Sequence, residues 1–181
     1  AASQAVADAV PIQPGQSVLD YCAGGGGKTL AMAARVNARY TAHDAKPDRM
    51  RDLPARAERA GVRMTMAKTP NLRPGFDVVL CDVPCSGSGS WRRAPQAKWQ
   101  LTPERLDILA ALQAQILNAA ARYVAPDGVL AYATCSLFDV ENTAQIETFL
   151  TRNPGWRCIW RKNFTPAQGG DGFFAAHLTR A

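Results

Sequence analysis

No run of this sequence is long and apolar enough to make a membrane-spanning helix. The amino end, Ala1-Ala-Ser-Gln-Ala-Val6, has neither the basic start nor the apolar core of a signal peptide. A cytoplasmic protein with no membrane partner is the expectation. Cysteine is sparse. The five residues, at 22, 81, 85, 135 and 158, are odd in number and include no C-x-x-C spacing. Such a set builds neither a disulfide scaffold nor a zinc pair. Reduced thiols and no bound metal are expected, and each cysteine is either a small core residue or a reactive group. Internal repeats and low-complexity segments are missing too, which excludes repeat architectures.

What is present is enough chain for one core. A length of 181 residues that is 47% hydrophobic buries one domain well and is short for two, so residues 1–181 are read as a single domain, monomeric. The formal charge of +6 suits a polyanionic partner, although an arginine-rich solvated surface would give the same balance.

Along the chain, Ser3 to Val10 reads as the end of a helix. The Pro14-Gly15-Gln16 turn leads to a short apolar strand, Ser17 to Cys22, then to Gly24-Gly-Gly-Gly-Lys-Thr29 and a helix over Leu30 to Val36. A second strand, Ala38 to Asp44, precedes an arginine-loaded helix over Lys46 to Ala60 and a weaker strand over Val62 to Ala67. Phe76 to Cys81 is the fourth strand, valine-rich and without polar alternation, as in a strand covered on both faces. Thr102-Pro103-Glu104 has the composition of a helix start, followed by an apolar stripe of Leu106, Leu109, Ile116, Leu117, Ala120 and Val124. A turn at Pro126-Asp-Gly128 opens a fifth strand, Val129 to Thr134. Asp139 is placed to cap a helix running to Leu150, and Trp156 to Trp160 and Phe173 to Leu178 complete seven strands. This alternation predicts an α/β fold, a mostly parallel seven-stranded sheet with helices on both faces.

Two constellations carry chemistry. The first is the glycine loop between strand and helix, where backbone donors face a ligand and glycine allows close approach. A phosphate-binding P-loop ending at Gly27-Lys28-Thr29 would require glycine at position 22, where Cys22 stands. A dinucleotide fingerprint starting at Gly24 would require glycine at position 29, where Thr29 stands. With Asp44 placed to meet ribose hydroxyls, the loop suits an adenosine-bearing cofactor without a long phosphate chain, such as S-adenosylmethionine. A tight structural turn is the alternative. Candidate cofactor residues are Cys22, Ala23, Gly24, Gly25, Gly26, Gly27, Lys28, Asp44, Arg49 and Asp82.

The second constellation begins at Asp82-Val-Pro-Cys-Ser-Gly-Ser-Gly89, a polar loop directly behind the fourth strand, where ligands collect in open α/β sheets. Pro84 ends that strand. Cys85 in this loop and Cys135 behind the fifth strand would open onto one cleft if those strands are neighbours. A lone cysteine is more often an apolar filler. Both of these are followed by serine in polar surroundings, where a filler has no purpose.

These residues carry a resemblance. Asp82-Val-Pro-Cys-Ser-Gly-Ser-Gly89, Trp91-Arg-Arg-Ala-Pro95, Lys98-Trp99, Tyr132-Ala-Thr-Cys-Ser-Leu137, Glu141-Asn142 and Asp171-Gly-Phe-Phe174 together resemble the RNA cytosine-5 methyltransferase family. Cys22-Ala-Gly-Gly-Gly-Gly-Lys-Thr29 is similar to that family's cofactor loop, with Gly24-Gly25 in place of its usual Ala-Pro. After the third strand the family places an acid near adenine, where this chain has Ala67-Lys68-Thr69. The resemblance implies a Rossmann-like class I methyltransferase fold, S-adenosylmethionine as cofactor and ribosomal or transfer RNA as partner. Family members carry an RNA-binding region ahead of the catalytic domain, and the similarity here covers the catalytic part.

The resemblance also assigns roles. Cys135 is the nucleophile toward carbon 6 of cytosine, Cys85 serves resolution and release, and Asp82 contacts the cytosine. Arg92, Arg93 and Lys98 would hold phosphates around an extruded base. The Pro84-Cys85 pair is similar to the nucleophile motif of DNA cytosine-5 methyltransferases, which would reverse the two thiols' roles. A catalytically idle RNA-binding module of the same fold, or a methyltransferase for a non-RNA substrate, stands as the alternative.

Overall fold

The structure, a computed structural model, describes residues 2–168 and 170–181. In chain order its elements are α1 (Ala2–Ala9), β1 (Ser17–Asp20), α2 (Gly27–Arg35), β2 (Arg39–Ala42), α3 (Leu53–Arg59), β3 (Met64–Met66), β4 (Phe76–Asp82), α4 (Gln96–Gln100), α5 (Pro103–Ala121), β5 (Val124–Thr134), α6 (Thr143–Arg152), β6 (Trp156–Phe164) and β7 (Phe173–Arg180). The seven strands form one sheet in the order β3-β2-β1-β4-β5-β7-β6, parallel from β3 through β5. β7 runs antiparallel to both β5 and β6.

Alternation along the central strands separates two apolar layers. Val18, Val78, Leu80, Ala131 and Ala133 join Val6 of α1 and Met32 of α2 on one face. Leu19, Val79, Cys81, Leu130 and Tyr132 join Leu117 of α5 and Ile146 and Phe149 of α6 on the other. The valine-rich run expected to be covered on both faces is β4, whose Val78 to Cys81 are all buried.

Four local expectations give way to particular residues. The single arginine-rich helix is broken into a 3-10 turn, Pro47–Met50, and α3, because Pro54 has no N–H and is accommodated only in a first helical turn. The Pro126-Asp-Gly128 turn is an excursion within β5, which pairs Val124 with Phe76 and resumes with Val129 opposite Val78. Val124 accordingly belongs to the strand rather than to the helical stripe. Asp139 caps nothing through its side chain; it opens a 3-10 turn, Asp139–Glu141, and α6 starts at Thr143. The turn puts Glu141 into a buried polar network. Finally, α2 begins at Gly27 rather than at Leu30, inside the glycine loop.

Order across the sheet changes direction between β1 and β4, and crevices at such a switch point open beyond the carboxyl ends of the strands. The loops after β1, β2, β4 and β5 all lie there. Because β7 is antiparallel to β5 and pairs Phe174 with Thr134, its amino end reaches the same rim.

Candidate active site

The β1 loop turns on Gly26, whose φ of 74° is left-handed backbone that glycine adopts without strain. A Cβ there would meet Leu53 Cδ1 at 2.1 Å, so α3 packs against bare backbone. Asp44, buried behind the loop, accepts from Gly24 N at 3.0 Å and Lys46 N at 2.9 Å, and pairs with Arg49 at 3.2 Å. Arg56 donates to the Gly25 carbonyl. The loop is therefore held from outside, by an acid and two arginines.

Beneath it lies Asp20, fully buried at the end of β1. Its Oδ2 accepts from Thr29 Oγ1 at 2.6 Å, while Oδ1 has no partner among the described residues. Burial raises the carboxyl to about 7, with the Thr29 hydrogen bond pulling the other way and Asp82 adding to the rise. Burial also pushes the Cys22 thiol upward, and Asp20, Asp44 and Asp82 around it add to the shift. A thiol so placed stays protonated and is a wall of the site rather than a nucleophile.

Cys85 and Cys135 meet. Their sulfurs lie 3.2 Å apart, brought together by the parallel pairing of β4 with β5. The two thiols shift in opposite directions. Cys135 is lowered, first by the hydrogen bond from Cys85 and further by Lys28, against the opposing effects of burial and Asp82. Cys85 is raised, because losing its proton would lose that bond and burial penalises its charge. Cys135 is thus the thiol of the pair that gives up its proton more readily. Lys28, from the first turn of α2, reaches Asp82 Oδ2 at 2.5 Å and lies 5.3 Å over the Phe173 ring.

Behind the sulfurs a buried carboxylate ties the two cysteine loops together. Glu141 accepts from Ser86 N at 2.8 Å, Ser86 Oγ at 2.5 Å, Ser136 Oγ at 2.5 Å and Gln113 Nε2 at 2.9 Å. Gln113 also donates to the Pro84 carbonyl at 2.9 Å, and Tyr132 Oη donates to the Glu141 carbonyl at 2.7 Å. Ser88 Oγ accepts from Leu137 N at 2.8 Å, a second link between the loops. Gly89 and Gly172 touch backbone to backbone, with Gly172 N donating to Gly89 O at 2.8 Å; a Cβ on Gly89 would lie 2.0 Å from Gly172 O.

A cleft of about 430 Å³ is lined by Cys22, Ala23, Gly24, Gly25, Lys28, Arg49, Asp82, Cys85, Arg93, Cys135 and Phe173, among others. Most of the candidate cofactor and catalytic residues therefore line one cleft. Gly26, Gly27 and Asp44 support the loop from behind. A larger groove of about 870 Å³, with Arg35, Arg39 and Arg63 on its walls, opens at the amino ends of β1 to β4 and holds none of the candidates.

Arg93 lines the cleft but is paired with Asp171 at 2.5 Å, so its charge is engaged by the segment leading into β7. Arg92 and Lys98 are exposed, one residue before and five after it in the chain. Lys68 is exposed at the start of the 3-10 turn Thr69–Asn71. Three contributions escaped sequence reasoning: Gln113, the pairing of Asp171 with Arg93 and the anchoring role of Glu141. Gln113 had a signal, since it interrupts the apolar stripe of α5 between Leu109 and Leu117. Asp171 stood in the Asp171-Gly-Phe-Phe174 motif, but its pairing with Arg93 had no signal, because that partner is distant in sequence.

The strand order, the single antiparallel strand and the loops gathered above β1 and β4 define a Rossmann-like class I methyltransferase domain. The chain belongs to the 16S rRNA methyltransferase RsmB/F family, whose family model matches residues 7–179. It is 35% identical to ribosomal RNA small subunit methyltransferase B of Serratia proteamaculans, over 99% of this chain and 46% of that protein. The homologue from Erwinia tasmaniensis is 37% identical over 92% of this chain and 42% of its own length. The chain thus spans about half the length of the curated relatives it matches. Among solved structures, PH0851 superposes with a TM-score of 0.90 at 28% identity, over 99% of this chain and 46% of that one. NSun6 from Pyrococcus horikoshii, solved with SFG, has the same fold, with a TM-score of 0.87 at 23% identity over 98% of this chain and 51% of its own.

Proposed function

We propose that residues 1–181 are the catalytic domain of an S-adenosylmethionine-dependent methyltransferase for carbon 5 of cytosine in ribosomal or transfer RNA, working through a covalent cysteine adduct. The observation that carries the reading is the pair of sulfurs 3.2 Å apart beside Asp82 and Lys28, in a cleft shared with the glycine loop. Family membership and the similarity to a structure solved with SFG, an analogue of the cofactor, support it.

The residues present fit the cofactor. Asp20 holds a buried acceptor without a partner, suited to a cationic amine, and the loop from Cys22 to Gly25 walls one side of the cleft. Asp44 keeps about one lone-pair site beyond the three used by Gly24, Lys46 and Arg49, so a ribose hydroxyl could donate to it. When bound, the sulfonium supplies an electrophilic methyl group.

Carbon 5 of cytosine is a poor nucleophile until a thiolate adds at carbon 6 and makes carbon 5 electron-rich. Cys135 is the thiolate held for that addition. Asp82, fixed through one oxygen by Lys28, offers the other to the exocyclic amine and to the N–H of ring nitrogen 3 once that nitrogen has taken a proton from solvent, which neutralises the charge that builds there during attack. After carbon 5 has accepted the methyl group, its proton must leave before the bond to Cys135 Sγ breaks. Cys85, whose sulfur adjoins Cys135, is placed to mediate that release.

RNA containing 5-fluorocytidine tests the scheme, since fluorine at carbon 5 cannot leave as a proton. A cofactor-dependent protein–RNA adduct stable on a denaturing gel is expected. If the protein methylates ordinary RNA but never forms this adduct, covalent catalysis at carbon 5 is wrong.

A further inference from the structure

Six residues beyond Arg93, which lines the cleft, the chain presents Trp99 with 82% of its surface in solvent. It sits on α4, a helix with no buried residue at all, so this indole serves neither the core nor a cap. The Lys98 ammonium lies 5.4 Å from its ring centroid, and Arg92 is exposed on the same connecting segment. An exposed flat π-surface with a cation beside it is complementary to nucleobases on a phosphate chain, and the protein's net charge of +6 agrees with that partner.

We infer that Trp99 is a stacking platform for an unpaired base flanking the target cytosine, with Lys98 and Arg92 on the adjoining phosphates. This rests on the RNA reading above and extends it to a residue outside the cleft. When a base is turned out into an active site its neighbours lose a stacking partner, and an aromatic side chain restores one. The reach is right. Six residues span at most ~20 Å even fully extended, and the helical stretch shortens this, so Trp99 meets a nucleotide close to the target. Stacking is tolerant of base identity, so the platform would secure the strand without naming its sequence.

The test titrates the 181-residue chain with short single-stranded RNA carrying one central cytosine, following intrinsic fluorescence and comparing wild type with Trp99→Leu and Trp99→Phe. Trp99→Leu should weaken binding about ten-fold or more, with Trp99→Phe recovering most of the loss, as base stacking energies predict. The slope of log affinity against log salt should be the same in wild type and Trp99→Leu, because no phosphate contact is removed. Since α4 buries nothing, the thermal midpoint of both variants should match wild type. Equal RNA affinity for wild type and Trp99→Leu, or no RNA binding by wild type, overturns the inference; the first result would assign this surface to a protein contact. Methyl transfer from labelled cofactor is followed in parallel. Transfer with no effect of Trp99 sinks this inference alone, whereas Trp99-dependent binding without transfer sinks the methyltransferase reading alone.

Discussion

Lys28 Nζ and Asp82 Oδ2 lie 2.5 Å apart, which joins the first turn of α2 to the carboxyl end of β4 across the cleft. The ammonium is nearly enclosed and also lowers the Cys135 thiol, so one side chain serves the acid that would hold the base and the sulfur that would attack it. Substrate-side and cofactor-side loops are coupled through it.

Removing that charge should therefore be felt at sulfur. Because Lys28 stabilises the charged form of Cys135, Lys28→Met should move the Cys135 ionisation upward, and Cys85→Ala should do likewise by deleting the hydrogen bond that is the largest lowering cause. The measurement is the pH dependence of iodoacetamide labelling at Cys135, read by peptide mass spectrometry. In wild type the inflection should fall below that of an ordinary thiol. A wild-type inflection at or above the ordinary value would refute the thiolate assignment.

Glu141 accepts only, from four donors on three residues, and an amide cannot satisfy all of them. Glu141→Gln should cost about 1.5–3 kcal/mol, the range for hydrogen bonds to a charged group. Chemical denaturation reads that number. Gln113→Leu removes a donor to both Glu141 and the Pro84 carbonyl, and should depress methyl transfer more than stability, because it loosens the loop carrying Cys85. Unchanged transfer with lowered stability would make the network purely structural.

How much of this was readable from residues alone follows from the range of each interaction. The both-face burial of β4 and the helix start at Thr102, whose hydroxyl accepts from Arg105 N at 3.2 Å, are local and were legible. So was the convergence of Cys85 and Cys135, because adjacent parallel strands end on the same side. The placement of β7 between β5 and β6 depends on long-range pairing, and with it the contact of Asp171 with Arg93. The expected Asp139 cap failed because Glu141, two residues on, is drawn inward by Ser86 and Ser136, a tertiary demand that local capping preference does not register.

Under the proposed function, Asp20 would link cofactor binding to protons. Its folded-state carboxyl is raised from 3.8 to about 7, so the free protein carries this proton through mildly acidic pH. A raised carboxyl binds more protons folded than unfolded, so this group's contribution to stability falls as pH climbs from about 4 to about 7. A cofactor cation beside the open oxygen favours the carboxylate, so binding should release a proton and affinity should rise with pH until about 7, then level. Calorimetry in buffers of different ionisation heat checks the released proton. Asp20→Asn should abolish the buffer dependence, and a wild type without it would place the cofactor amine elsewhere.

The two thiols give the sharpest separation. If Cys135 adds to carbon 6, Cys135→Ala should abolish both methyl transfer and any covalent RNA species, since carbon 5 is never activated. Cys85→Ala keeps the nucleophile and lacks only the sulfur placed for release. It should accumulate a protein–RNA species on ordinary cytosine RNA, seen as a slow band on a denaturing gel. The alkylation profile predicts a further signature: with Cys85 gone, Cys135 ionises at higher pH, so the yield of this trapped species should grow as pH rises. Should Cys85→Ala give no adduct while Cys135→Ala accumulates one, the roles are reversed and Cys85 is the nucleophile. If neither substitution alters transfer, the 3.2 Å sulfur contact is a packing feature and carbon-5 chemistry is lost with it.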